Sequence, residues 1–192
     1  MKALTTMGIF GIAGSLMLFG TAALAQTGQG STDPSQLGNA GSHGQLSQSD
    51  YRFFEKAARG GMEEVELGQL AQQKAANQTV RDFGQRMVQD HGKANDELKQ
   101  VAAQEGLALP TRMSRSENST MQRLQGLNGA SFDQAYAKDM VKDHTKDVSD
   151  FQKAAQTIQN SALRDWAQKT LPVLQEHLRL AKSMEASLQN QK

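Results

Sequence analysis

The chain has 192 residues, contains no cysteine, and carries 21 lysines and arginines against 20 aspartates and glutamates. A chain of this length suits one domain with a sizeable core, and without cysteine it has neither a disulfide nor a thiolate metal site. The balanced charge gives no sign of a nucleic-acid-binding surface.

The first 25 residues predict a secretory signal peptide. Lys2 supplies the positive start, an apolar run covers residues 9–18, and Ala23 and Ala25 match the small-x-small cleavage pattern. An uncleaved membrane anchor is the alternative, but the apolar run is shorter than the roughly 20 residues that a spanning helix needs. We therefore expect cleavage, export to a bacterial periplasm and no stable membrane span afterwards, with association with the outer membrane left open.

Residues 26–49 predict a disordered, flexible linker. They consist mostly of Gly, Ser, Gln, Thr and Asn and lack the apolar residues that bury a core. His43 lies in this stretch and is expected to be solvated. The folded domain is expected to span residues 50–189.

The first half of this domain predicts a helical hairpin, because two long stretches have the apolar spacing of amphipathic helices. The first helix is predicted over residues 49–76, with Ser49 or Asp50 as its N-cap. The second is predicted over residues 79–106, ending at Gly106.

The second half predicts another hairpin after a long connection over residues 107–130, whose apolar spacing indicates a short helix. The third long helix is predicted to begin at a capping box headed by Ser131. The fourth begins near Asn160. Pro172 is expected to kink that helix and not to break it, because the apolar stripe keeps its phase across the proline.

The two hairpins look like copies of one unit. An offset of 83 residues pairs Asp50 with Asp133 and the run 77–85 with the run 160–168. Chance similarity between amphipathic helices is the alternative. Two hairpins joined by a long crossover predict an all-α, ferritin-like four-helix bundle, with a short extra helix in the crossover.

Three of the four histidines fall at helix centres, on the apolar side. A pentapeptide ending in histidine occurs twice, as MVQDH at residues 87–91 and MVKDH at residues 140–144. Helices of similar length share a midpoint level in a bundle, which predicts a polar layer across the waist. The residues near the four midpoints are Glu64, His91, His144 and His177.

One interpretation of this layer is a site for a single transition-metal ion. Imidazole suits Cu, Zn and Fe, and a carboxylate completes a four-coordinate set. Nearby thioethers favour copper; they belong to Met62, Met87 and Met140. The carboxylate that precedes each histidine lies about 100° round the helix, so it would orient an imidazole on a neighbouring helix. These carboxylates are Asp90, Asp143 and Glu176.

Two other interpretations stay open. The layer could be a metal-free polar core, with Glu64 hydrogen-bonded to imidazoles, in a non-enzymatic structural or stress-linked interaction protein. It could also line a small-molecule pocket. An enzyme is not favoured, because cysteine is absent and no serine stands in a recognisable nucleophile motif. The sequence identifies no protein partner, and it fits either a monomer or a homodimer.

Several motifs, in order along the chain, resemble one known family. They are GGMEEVELGQLA at 60–71, FGQRMVQDH at 83–91, SFDQAY at 131–136, MVKDH at 140–144 and LPVLQEHL at 171–178. Together they resemble the exported bacterial family catalogued as domain of unknown function 4142, over about residues 50–188. The resemblance implies a ferritin-like bundle and little about activity.

The chain departs from the di-iron proteins of the wider ferritin-like group. Those proteins use Glu-x-x-His pairs on two helices. Here Val88 stands three residues before His91, and Leu174 stands three residues before His177. A di-iron centre is therefore not expected, and a single ion is favoured.

Overall fold

The structure is a computed structural model that describes residues 46–190. These residues belong to one compact unit. The predicted signal peptide, residues 26–45 of the predicted linker, and His43 lie outside the described residues.

Five α-helices account for nearly all of the described chain, and no strand occurs in that part. They are α1 (Gln48–Lys74), α2 (Gln78–Glu105), α3 (Arg115–Gln125), α4 (Gly129–Thr157) and α5 (Ser161–Gln189). The four long helices and the short crossover helix are those that the apolar periodicity predicts. The all-α bundle with an extra helix between its second and third long helices is confirmed.

The N-caps of α1 and α4 differ from the predicted ones, whereas α2 ends at Gly106 and α5 begins after Asn160 as predicted. Ser47 caps α1 and Asn77 caps α2, each through its side-chain oxygen. The capping box predicted at Ser131 is wrong. Because α4 begins earlier, at Gly129 with a φ of 58°, Ser131 already lies within the first turn.

α5 is one helix of 29 residues although Pro172 lies inside it. A proline within a helix removes one backbone hydrogen bond, so packing of the buried stripe must hold the two halves together. Leu174 and His177 are buried directly after the proline. Within residues 46–190, neither α5 nor any other helix combines the length and apolarity needed to span a bilayer.

In each hairpin, the first helix provides a carboxylate that accepts backbone hydrogen bonds from the turn of the other hairpin, and the two carboxylates are related by the 83-residue repeat. The carboxylate of Asp133 in α4 accepts the backbone N–H groups of residues 76 and 77, at 3.2 and 2.9 Å, in the α1–α2 turn. The carboxylate of Asp50 in α1 accepts those of residues 159 and 160, at 3.1 and 3.3 Å, in the α4–α5 turn.

Two arginines repeat the same symmetry. Arg81 donates to the carbonyl oxygens of residues 75 and 76, at 2.7 and 2.9 Å. Arg164 donates to those of residues 158 and 159, at 2.9 and 3.4 Å. Every donor and acceptor is displaced by the same 83 residues, so chance similarity does not account for the repeat.

The core consists of two apolar clusters, one towards each end of the bundle. The Phe83 end is the cluster around Phe83, drawn from the second halves of α1 and α5, the first halves of α2 and α4, and α3. The Trp166 end is the cluster around Trp166, drawn from the opposite halves of the long helices. Between them, at the waist, are the buried side chains of Glu64, His91, His144 and His177.

α1 and α4 contact each other far less than either contacts its own hairpin partner. α3 lies against both of them. The side of the bundle between α1 and α4 is therefore its most open side, and a cavity lies there.

Candidate metal centre

Three imidazoles from three helices meet at the waist. His91 comes from α2, His144 from α4 and His177 from α5, and their ring centroids lie between 5.3 and 5.7 Å apart. One ligand nitrogen from each ring lies within 4.8 Å of the others. His144 and His177 are fully buried, and His91 is 7% exposed. We refer to these three residues as the histidine trio.

Each ring of the trio leaves a buried nitrogen without a hydrogen-bond partner among the described residues. His144 donates its Nδ1 proton to the carbonyl oxygen of Met140 at 3.0 Å, which leaves its Nε2 unpaired. His177 donates its Nε2 proton to the carboxylate of Asp90 at 2.8 Å, which leaves its Nδ1 unpaired. Nε2 of His91 is unpaired as well.

The trio is neutral at physiological pH. Burial, followed by the neighbouring imidazoles, lowers the pKa of His91 well below its usual range. Burial and then His177 lower the pKa of His144 to about 3, although its bond to Met140 acts in the opposite direction. Burial lowers the pKa of His177 despite its hydrogen bond to Asp90. Neutral imidazole is the form that binds metal ions.

The spacing of the trio fits one metal ion after a small adjustment. Zn–N bonds of about 2.0–2.1 Å place tetrahedral ligand nitrogens about 3.3 Å apart. Starting from 4.8 Å, each nitrogen has to move inward by about 0.8 Å to reach that bond length.

Glu64 adjoins the trio but is not part of it. Its Oε1 lies 3.9 Å from Nδ1 of His144, which is too far for a hydrogen bond and is the nitrogen that already donates to Met140. The residue is 3% exposed, and its Oε2 has no described partner. Burial, then the charges of Asp147 and Asp143, raise the pKa of Glu64 well above its usual range.

Among the carboxylates predicted to orient the imidazoles, only Asp90 contacts one. Burial acts to raise the pKa of Asp90, but hydrogen bonds from His177 and Arg86 lower it overall, so an anionic carboxylate fixes the ring of His177. Glu176 lies on the outer face of α5 and binds Arg179 through two hydrogen bonds. Asp143 contacts no imidazole and lines the cavity described next.

The methionines of the predicted layer are packing residues where they are buried. Met87 and Met140 are fully buried within the apolar cluster of the Phe83 end. Met62 is only partly buried. Their side chains therefore add apolar contact next to the waist, and they give no structural reason to prefer copper.

A cavity of about 200 Å³ reaches the waist from the side between α1 and α4. Aromatic side chains of the Trp166 end and small residues of α1 form much of its wall. His91 and Glu64 line it as well. We call it the acidic cavity, because its remaining lining includes two lysines and five further carboxylates. These are Lys56, Lys146, Glu63, Glu117, Asp143, Asp147 and Asp150.

Two carboxylates of the acidic cavity, Glu63 and Asp147, hold their protons unusually strongly. Burial, followed by Asp143 and Glu117, raises the pKa of Glu63 to about 7. Burial also raises the pKa of Asp147 to about 6, against the opposing effect of Lys56. Groups with such raised pKa values in a cleft are typical of functional sites.

Two of these carboxylates are absent from the site predicted from the sequence. Glu63 precedes Glu64 in α1 and lines the same cavity. The 83-residue offset pairs Asp147 with Glu64. That pairing was the available signal, because equivalent positions of the two hairpins face the same waist.

Two solved structures share the fold. A DUF305 protein from Streptomyces coelicolor, described as secreted, is 14% identical with a TM-score of 0.63, covering 73% of this chain and 92% of its own. A DUF305 fragment from Deinococcus radiodurans is 11% identical with a TM-score of 0.64, covering 76% of this chain and 98% of its own. At such low identity the likeness concerns the fold alone.

No curated protein matches this chain. The family model described as "Domain of unknown function (DUF4142)" matches residues 35–184, which include nearly all of the bundle and its waist. This chain therefore belongs to the DUF4142 family.

Proposed function

We propose that this protein is an exported helical bundle that binds a single transition-metal ion at its waist. His91, His144 and His177 supply the main ligands. The observation that carries the proposal is the trio itself, in which three buried rings present ligand nitrogens within 4.8 Å of one another and each retains an unpaired nitrogen.

Unpaired buried nitrogens favour a metal site over a metal-free polar layer. A polar layer that only fixes helix register is expected to satisfy its own hydrogen bonds, because an unpaired buried polar group costs about 1–3 kcal/mol. Here His144 and His177 each bond a group outside the trio, Met140 and Asp90. Bonds of this kind fix the tautomer of metal-binding histidines and leave the other ring nitrogen free.

The donor set suits zinc, copper or iron. Imidazole is a good ligand for all three ions. A di-iron centre is not part of the proposal, because Val88 and Leu174 occupy the positions where such centres have carboxylates. Glu64 is the fourth protein ligand in this proposal, which requires its side chain to rotate away from Nδ1 of His144 and towards the inner nitrogens.

Export is the second part of the proposal. Residues 1–25 have the pattern of a signal peptide, and the structural neighbour from Streptomyces coelicolor is described as secreted. An exported metal-binding protein with no indicated nucleophile fits a role in storing, buffering or sensing the ion more closely than a role in catalysis.

Metal analysis of the purified protein tests the proposal. The untagged full chain is expressed with its own N-terminus, recovered from the periplasm, and measured by mass spectrometry before and after incubation with Zn²⁺, Cu²⁺ or Fe²⁺. We expect about one equivalent of one metal in the wild type and almost none in His144→Ala. Glu64→Gln is expected to lower the affinity by about 10-fold.

His43→Ala is the matched control, because it removes the one histidine outside the trio and should leave the bound metal unchanged. Circular dichroism of each variant shows whether the bundle is still folded. A wild type that takes up none of the three metals contradicts the proposal. Equal metal content in His144→Ala and His43→Ala contradicts it as well.

A further inference from the structure

We propose that the acidic cavity is a cation site that loads the histidine trio. A hydrated divalent cation is held there by Glu63, Asp143 and Asp147, and it reaches the imidazoles past Glu64. This inference rests on the proposed function and identifies the route by which the ion arrives.

Three carboxylates of the cavity have no ion-pair partner among the described residues. Glu63, Asp143 and Asp147 form neither a hydrogen bond nor an ion pair with any residue of the described range. Asp150, by contrast, pairs with both lysines of the lining. Partly buried carboxylates that face one another without a direct ion pair are costly to ionise, so a bound cation is the simplest partner for them.

The inner end of the cavity presents two unpaired ligand atoms. Glu64 and His91 both line the cavity, and they are 3% and 7% exposed. Oε2 of Glu64 and Nε2 of His91 have no hydrogen-bond partner among the described residues. An ion in the cavity therefore adjoins one ligand of the trio directly, and Glu64 lies beside a second, His144.

The cation is expected to keep its water while it is in the cavity. The histidine trio is the one group of three or more possible ligands in residues 46–190 that is close enough to hold an ion directly, so the carboxylates of the cavity are more widely spread. A volume of about 200 Å³ accommodates several waters around an ion. The ion would lose this water when the imidazoles bind it.

The crossover helix forms part of the cavity rim. Ser116 and Glu117, in the first turn of α3, belong to the lining. Glu117 closes a capping box with Ser114, in which each side chain accepts the other's backbone N–H. This local bond holds the start of α3 in place at the rim, on the side where α1 and α4 are apart.

The loading rate tests the inference. Co²⁺ is mixed with the metal-free full chain in a stopped-flow instrument, and the visible absorbance of the bound ion is followed at several salt concentrations. For Glu63→Gln/Asp147→Asn we expect the association rate to fall by about 10-fold or more and to depend less on salt. Release slows too, because the ion leaves by the same route, so the affinity changes less than the rate.

Asp82→Asn/Asp165→Asn is the matched control. Both residues are exposed, on α2 and α5, and their substitution also removes two carboxylates, without touching the cavity. We expect the loading rate of this control to stay within about 2-fold of the wild type. A cavity variant that loads as fast as this control overturns the inference.

A second measurement separates the cavity from the trio. Mn²⁺ prefers carboxylate and water ligands, and its binding to His144→Ala/His177→Ala is followed by water-proton relaxation. We expect weak Mn²⁺ binding in this background, removed by adding Glu63→Gln/Asp147→Asn. Absence of Mn²⁺ binding overturns the inference.

The two measurements also distinguish this inference from the proposed function. Uptake of Co²⁺ by the wild type, with an unchanged rate in the cavity variant and no Mn²⁺ binding, retains the trio as a metal site and removes the loading role. Mn²⁺ binding without any uptake at the trio removes the loading role and the proposed function, and leaves an isolated cation site.

Discussion

The two ends of the bundle contain equivalent pairs of aromatic residues but differ in what those pairs contact. Phe83 and Tyr136 form an edge-to-face ring pair with centroids 6.2 Å apart at one end. Their repeat equivalents at the other end, Trp166 and Phe53, form a pair at the same 6.2 Å. Phe83 packs directly against the imidazoles of the trio, whereas the pair at the Trp166 end lines the acidic cavity.

Small residues in α1 produce this difference. Under the 83-residue offset, Ala57 is the repeat equivalent of Met140, and Gly61 is the repeat equivalent of His144. α4 therefore fills the space next to the trio with a methionine and a ligand, while α1 has small residues at the equivalent positions, where the side chain of Asn95 approaches Gly61. The comparison shows that two hairpins with the same backbone repeat can pack tightly on one side of the trio and leave it accessible on the other.

The largest expected effect compares equivalent aromatic residues. Tyr136 is fully buried, so Tyr136→Ala should lower the free energy of unfolding by about 3–5 kcal/mol through the void it leaves. Phe53 is only partly buried and already faces the cavity. Phe53→Ala should therefore cost only about 1–2 kcal/mol. Urea unfolding of the metal-free variants measures both values, and equal losses would mean that the two ends are packed alike.

The packing that decides this difference is only partly readable from the sequence. Apolar periodicity identifies which face of each helix is buried, and similar helix lengths place His91, His144 and His177 at one level. The same pattern does not give the distance between helices. Glycines at 60 and 61 are compatible with close packing or with room for a neighbour's side chain, and the sequence does not decide between the two. A Cβ at Gly61 would meet Asn95, while one at Gly60 would meet nothing within 4 Å.

The sequence also does not show which of the predicted carboxylates contacts an imidazole, again because it does not give the arrangement of the helices. Asp90, Asp143 and Glu176 all precede a histidine and are equivalent in the pattern. Which of them meets an imidazole depends on whether a histidine-bearing helix lies on that side. α2 and α5 pack together, so Asp90 reaches His177. The outer side of α5 near Glu176 offers Arg179 instead.

The next effect tests what the two ends share. Asp133→Ala and Asp50→Ala each leave two backbone N–H groups of the opposite hairpin's turn without an acceptor. Each substitution should cost about 2–4 kcal/mol, because two part-buried hydrogen bonds to a carboxylate are lost, and such a bond to a charged group contributes about 1.5–3 kcal/mol. We expect the two losses to agree closely. Thermal and urea unfolding measure both losses of stability. A large loss for one aspartate and none for the other would show that the two carboxylate–turn contacts are not equivalent.

The cavity should also appear in the pH dependence of stability. The pKa of Asp147 is about 6 in the folded protein, against a usual value of 3.8. The folded state therefore keeps a proton that the unfolded chain releases, so this stabilisation is complete below pH 3.8 and is lost as the pH rises through 6. Asp147→Asn should match the wild type at pH 3.5 and exceed it by about 2–3 kcal/mol at pH 8.

The trio has the opposite dependence, which provides an internal check. The pKa of His144 is about 3 in the folded protein, so its contribution to stability is lost as the pH falls from 6.5 towards 3. Asp147→Asn should leave this loss of stability at acid pH unchanged and raise the free energy of unfolding only at neutral and alkaline pH. Asp165→Asn, exposed on α5, serves as the control in urea unfolding of the metal-free protein. A uniform gain at every pH would indicate that titration of Asp147 is not the cause.

The smallest expected effect contrasts two glycines of the same helix. A Cβ at Gly68 would lie 2.6 Å from the backbone oxygen of Gly84, where α1 and α2 approach closely. Gly68→Ala should therefore cost about 1–3 kcal/mol through overpacking. Gly60 lines the cavity, and a Cβ there has nothing within 4 Å. Gly60→Ala should stabilise the protein by about 0.5–1 kcal/mol, since alanine is the better helix former. A loss of stability in Gly60→Ala would mean that the space beside α1 at this level is filled.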